Sequence, residues 1–122
     1  MKKRQVVITG AGACGLMAAI MAARNGAAVT VLEQNEKPGK KICATGNGRC
    51  NFSNLARPDD AYRGEHPEFV EEALREFSVE DTIEFFKEIG IYPLNRNGYL
   101  YPRSNQAQSV VDVLCMEAAS LG

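Results

Sequence analysis

Three glycines follow the apolar run Val6-Val7-Ile8 with G-x-G-x-x-G spacing: Gly10, Gly12 and Gly15. Each answers a mechanical need of a polyphosphate site. Gly10 lets the chain turn sharply out of a strand, at a backbone angle a side chain would oppose. Gly12 removes a Cβ, so the backbone can approach a pyrophosphate. Gly15 lets the following helix pack close to the strand. That helix begins with free N–H groups and the positive end of its dipole, which suits an anion. Farther along, Glu33 closes a second apolar run, Val29-Thr30-Val31-Leu32. A carboxylate there can accept hydrogen bonds from ribose hydroxyls.

A second group of polar residues comes next. Gly39, Lys40 and Lys41 stand soon after the ribose-binding acid, where lysines can contact phosphate. Then comes Thr45-Gly46-Asn47-Gly48-Arg49-Cys50-Asn51-Phe52-Ser53-Asn54. Gly46 and Gly48 leave the backbone open to a ligand. Thr45, Asn47, Asn51 and Asn54 offer hydrogen-bonding groups, and Arg49 can pair with phosphate or carboxylate in a bidentate way. Cys50 is either a polarizable filler or, in electropositive surroundings, a reactive thiol.

The elements that must position these residues read as α/β. A strand over Gln5–Thr9, a helix over Cys14–Asn25 stopped by Gly26, and a strand over Ala28–Leu32 make one β-α-β unit. Ala19 keeps the helix close to the sheet. Residues 34–66 read as a long connection rich in Gly, Asn, Pro and charge. Apolar residues at helical spacing predict a helix over Pro67–Phe77. A second runs over Val79–Ile89, with Ser78 and Asp81 as a capping box. Ile91–Leu94 and Gly98–Tyr101 read as a hairpin around Asn95-Arg96-Asn97-Gly98. Ser104 is placed to cap a last, crossover helix over Gln106–Leu121. After that helix a third parallel strand is expected, and the sequence stops at Gly122.

Composition narrows the partners. The 122 residues carry a formal net charge of −1, with no basic face that would imply nucleic acid or an anionic membrane. No apolar run has the roughly 18 residues of a membrane span. Met1-Lys2-Lys3-Arg4 resembles the charged start of a signal peptide, but Gly10, Gly12 and Gly15 interrupt the apolar stretch after it. The four cysteines, Cys14, Cys43, Cys50 and Cys115, form no C-x-x-C pair, and His66 is the only histidine. A zinc site is therefore not expected, and a reducing cytoplasm is. His66 precedes a helix in a polar segment and reads as a surface residue.

The string TGNGRCNFSN, preceded by KPGKK, resembles the hallmark of the BaiN-like flavoproteins, a group of bacterial NAD(P)/FAD-dependent oxidoreductases. Gly98-Tyr99-Leu100-Tyr101-Pro102-Arg103-Ser104, with Ala107, Val110 and Val111, resembles that family's hairpin and following helix. Asn47 departs from the glycine expected at its position. The resemblance implies the first β-α-β half of a Rossmann-like FAD-binding domain. It places the FAD pyrophosphate over Gly10–Gly15, near the N–H groups of Ala13 and Cys14, and the ribose on Glu33. Lys40 and Lys41 would lie near the adenine end or the phosphates. Thr45, Gly46, Gly48, Arg49, Cys50 and Asn51 would line the flavin side. The implied chemistry is hydride transfer between NAD(P)H, FAD and a small organic substrate, with no acid or base assigned.

Family members are several-fold longer, so residues 1–122 read as a partial, N-terminal portion of a dinucleotide-binding domain. Three other readings compete. A flavoprotein disulfide reductase would use Cys43 and Cys50, although their spacing is wider than that family uses. A flavin-free NAD-binding module would use the same Glu33. A non-catalytic truncated portion would hold FAD weakly and leave an apolar sheet face uncovered.

Overall fold

The computed structural model describes residues 2–57 and 60–122. Met1, at the head of the signal-like run, and Pro58 and Asp59, inside the long connection, lie outside the described residues. Strand β1 (Gln5–Thr9) and strand β2 (Ala28–Leu32) pair in parallel, with Val7 opposite Thr30. Helix α1 (Ala13–Arg24) crosses between them. This is the expected β-α-β unit of a Rossmann-like fold. Gly26 ends α1 as its sequence position implies, with φ 87°. Its N–H donates to Ala23 O, and the Ala27 N–H donates to Ala22 O, so the last carbonyls are satisfied in a Schellman pattern.

The alternation of the strands decides which face α1 covers. Ile8 and Val31 turn toward the helix and are partly buried. Val7 and Leu32 point the other way and are 64% and 53% exposed. Parallel sheets are ordinarily covered on both faces, so this apolar face is conspicuous.

The core lies between α1 and helix α5 (Ala107–Ser120). Leu16, Ala19 and Ile20 of α1 and Val110, Val111 and Leu114 of α5 are all buried, Ile20 completely. Helix α5 starts one residue later than expected, and its cap differs. Gln106 is the N-cap and its side chain makes no capping bond. Ser104 instead accepts from the Gln106 N–H at 3.2 Å and from the Ser109 hydroxyl at 2.8 Å. The intervening Asn105, at φ 57°, turns the chain before the helix can begin.

The connection over 34–66 contains more structure than expected. Helix α2 (Lys40–Ala44) runs into a tight turn at Thr45–Gly48, and strand β3 (Ser53–Asn54) comes after it. Helix α3 (Phe69–Glu76) and helix α4 (Val79–Glu88) come next. The α4 capping box forms: Ser78 Oγ accepts from the Asp81 N–H at 3.1 Å, and Asp81 Oδ2 accepts from the Ser78 N–H at 2.9 Å.

The hairpin is strand β4 (Pro93–Arg96) and strand β5 (Tyr99–Pro102), shifted from the predicted segments. Its turn is Asn97-Gly98 alone, at φ 53° and 91°. Both residues take the positive φ that a two-residue type I′ turn requires, so Asn95 and Arg96 stay in the ladder. Strand β3 adds to the far side of β5, giving an antiparallel sheet of order β3-β5-β4. No helix among the described residues is long and apolar enough to cross a membrane.

Arg24 ties three helix ends together. Its guanidinium donates to Glu117 Oε1 at 2.8 and 3.2 Å and to Glu88 Oε2 at 3.3 Å. It also lies 5.3 Å from the centre of the Phe85 ring. The pairs are partly solvated, so screening limits each one, but the stacking adds to them. We expect Arg24→Ala to lower stability by about 1 kcal/mol, read from urea denaturation.

Candidate dinucleotide site

Gly10 leaves β1 at φ 95°, and its N–H donates to Leu32 O at 2.6 Å. The turn therefore stays in register with the end of β2. A Cβ built on Gly15 would collide with the carbonyl oxygen of Gly10, so the first turn of α1 sits directly on the glycine loop. Gly12 is the N-cap of α1, in extended conformation (φ −87°, ψ −167°), and a Cβ there would meet nothing within 4 Å.

The N-terminus of α1 is open to an anion. Gly12 has no side chain to cap it, and the first turn carries no acidic residue. The N–H groups of Gly12, Ala13, Cys14 and Gly15 have no partner among the described residues. Free donors, the helix dipole and unfilled space beside Gly12 fit a pyrophosphate.

Glu33 stands just past β2. Its Oε1 accepts from the Ala11 N–H at 2.8 Å, and its Oε2 accepts from Asn35 N at 2.9 Å and Asn35 Nδ2 at 3.1 Å. A carboxylate has about four acceptor sites, so one on Oε1 stays open to a ribose hydroxyl. The Asn35 N–H, then the Ala11 N–H, hold the carboxyl below its ordinary value of 4.5. Because the folded value is depressed, the stability these hydrogen bonds contribute is fully present above 4.5 and is lost as pH falls through the lowered pKa. We expect the Ala11 amide resonance to move with a midpoint below 4.5, as read by an NMR pH titration.

Five of the expected residues meet at one cleft. Ala13 and Cys14 from α1, with Thr45, Cys50 and Asn51 from the loop, line an apolar cavity of about 660 Å³. Met17, Phe85 and Phe86 are among the apolar residues that also line it. As apolar residues of helices they carry no signal that separates cavity wall from core.

The rest of the loop is divided between its own folding and solvent. Asn51 Nδ2 donates to Ser53 O and Leu100 O, both at 3.0 Å, which fastens the loop to β5. Thr45 Oγ1 donates to Ile42 O at 2.6 Å, closing the end of α2. Gly46 and Asn47 take left-handed angles, and a Cβ on Gly46 would lie 2.5 Å from Asn51 N. Gly48 and Arg49 are exposed. Lys40 lines a separate groove of about 570 Å³ with Asn35, Lys37 and Asp112, and Lys41 is exposed on α2.

All four cysteines are free thiols. Burial pushes the Cys50 thiol up, toward its protonated form, which is the reverse of an activated nucleophile. Cys43 Sγ donates to Gln108 Oε1 at 3.3 Å. His66 is exposed beside Glu68, as its sequence context implied. No cluster that could hold a metal ion occurs among the described residues.

Gly39 has a role in the site that the sequence did not reveal. Its residue type reads only as part of a lysine loop, yet its N–H donates to Ala11 O at 2.8 Å. A glycine inside the otherwise charged KPGKK string is the signal that could have marked it.

A glycine turn, an uncapped helix start and an acid after β2 define a Rossmann-type β-α-β unit. Residues 4–122 match the model of the HI0933-like protein Rossmann domain, and the chain belongs to that family. It is 50% identical over 115 residues to the 3-dehydro-bile acid delta(4,6)-reductase of Clostridium scindens, covering 93% of this chain and 28% of that protein. It is 36% identical over 118 residues to the ribosomal RNA dihydrouridine synthase of Escherichia coli, covering 96% and 29%. The Haemophilus influenzae protein of the same name is 37% identical over 117 residues, covering 95% and 29%. The chain thus spans less than a third of the length of these curated relatives. Among solved structures, Thermovibrio ammonificans THI4 superposes with a TM-score of 0.64 over 98% of this chain and 36% of that one. At 18% identity this likeness concerns the fold.

Proposed function

We propose that this chain forms the ADP-binding part of an FAD-dependent oxidoreductase that passes electrons from NAD(P)H to an organic substrate. The observation that carries the reading is the open start of α1. Donors without partners and unfilled space at Gly12 sit beside a cleft lined by Thr45, Cys50 and Asn51. When bound, FAD supplies the two-electron chemistry. The chain's own residues bind and orient it. Gly12, Ala13 and Cys14 hold the pyrophosphate through their N–H groups, and Glu33 takes a ribose hydroxyl. The 45–51 loop closes one end of the cleft, and Phe85 and Phe86 help keep water from it.

The names of the relatives support a substrate class. A delta(4,6)-reductase of a 3-dehydro bile acid and a dihydrouridine synthase both concern a carbon–carbon double bond conjugated to a carbonyl. We place this chain's substrate in that class, as a small molecule. A net charge of −1 offers little attraction to an RNA backbone. Four free cysteines fit a reducing cytoplasm.

Equilibrium dialysis against FAD and NAD separately tests the cofactor. FAD is expected to be retained more tightly. Retention of NAD with no uptake of FAD would restore the flavin-free reading.

A further inference from the structure

Ala11, in the middle of the glycine turn, is held from both sides by the segment after β2. Its N–H donates to Glu33 Oε1 at 2.8 Å, and its carbonyl accepts from the Gly39 N–H, also at 2.8 Å. Ala11 is buried, although Gly12 beside it faces open space. The other oxygen of Glu33 is tied to Asn35. One carboxylate therefore joins the phosphate turn to the next turn of the chain.

The far end of this segment rests on the core. Gly39 sits at φ 71°, and a Cβ on it would lie 2.6 and 2.7 Å from the two methyl carbons of Val111. Val111 is 2% exposed, inside the α1–α5 core. Gly39 is thus pressed against a fixed wall and passes that position to Ala11. Lys40 and Lys41, by contrast, are exposed and form no ion pair among the described residues. The segment acts on the glycine turn through its backbone and through Glu33.

We propose that Glu33 and Gly39 are positioning residues that clamp Ala11 and fix the 10–15 turn in its binding shape before a ligand arrives. The inference rests on the proposed function for the purpose of the turn. A turn with glycines at 10, 12 and 15 has many alternative conformations, and ordering it on binding would cost affinity. Holding its central residue by both N–H and C=O removes much of that cost in advance. Glu33 then does more than receive a ribose, because its loss disturbs ligands that have no ribose.

Glu33→Ala tests this. A methyl group offers no acceptor, so the Ala11 N–H loses its partner and only the Gly39 bond to the Ala11 carbonyl remains. Hydrogen exchange of the Ala11 amide in the ligand-free protein is expected to quicken about tenfold, more than the amides of the α1–α5 core do. Affinities for ADP and for inorganic pyrophosphate are both expected to fall, by about tenfold. Unchanged exchange at Ala11 would overturn the clamp. So would a loss of ADP affinity with pyrophosphate affinity intact, which would reduce Glu33 to a ribose ligand. The exchange measurement involves no ligand. A protein that shows the exchange effect but never binds FAD would refute the proposed function and support the clamp.

Discussion

Gly12→Asp is expected to leave the protein as stable as before, or more so, while lowering its affinity for FAD by about 100-fold. The two effects have opposite signs because Gly12 serves two roles. As the N-cap of α1 it has an extended backbone (φ −87°, ψ −167°) that any residue adopts, and no side-chain cap. A built Cβ meets no atom within 4 Å. Aspartate is a favoured N-cap and suits the positive end of the helix dipole, so replacing glycine gains a few tenths of a kcal/mol. The same carboxylate would occupy the space assigned to the pyrophosphate. Like charges in that space cost several kcal/mol. Thermal melts of the ligand-free protein and FAD titration together read both signs. A variant that binds FAD normally would move the pyrophosphate elsewhere.

Gly15→Ala carries the largest expected loss of stability. By helix propensity alone this change should help, by about 1 kcal/mol. The packing reverses the sign. The new Cβ would overlap the carbonyl oxygen of Gly10, a backbone atom that cannot rotate away. Either α1 moves off the sheet or the glycine turn deforms, and overpacking of this kind costs about 3 kcal/mol. The melting temperature should fall on the order of 10 °C. A stabilised Gly15→Ala protein would show that helix and turn do not touch in this way.

Much of this was legible because the local signals are strong. A strand, a glycine turn, an Ala-rich helix ended by Gly26 and a strand ended before Glu33 can be read from spacing alone. The Ser78–Asp81 box was legible for the same reason, since its bonds lie within one helical turn. What escaped was set by distant contacts. Helix α2 has only five residues and one buried side chain, Ile42, too few to show a period. Gly39 takes its left-handed angle against Val111, far away in the sequence. The hairpin turn shrank to Asn97-Gly98 because two positive-φ residues suffice, a matter of turn geometry that composition blurs.

The site shows the same division. The residue types pointed to Thr45, Gly46 and Asn51 as ligand contacts. The structure uses the Thr45 hydroxyl and the Asn51 amide to fold the loop on itself and on β5, and Gly46 to fit beside Asn51. Thr45 and Asn51 still line the cleft, so a folding role and a lining role coincide there.

The central claim is that the start of α1 receives the pyrophosphate of FAD. Competition against bound FAD tests it most directly, with ADP and riboflavin as the two competitors. ADP is expected to displace FAD, because the two share the diphosphate and ribose that the proposed function assigns to Gly12–Cys14 and Glu33. Riboflavin, which lacks both, should compete far more weakly. FAD that is retained under saturating ADP and displaced by riboflavin would contradict the claim.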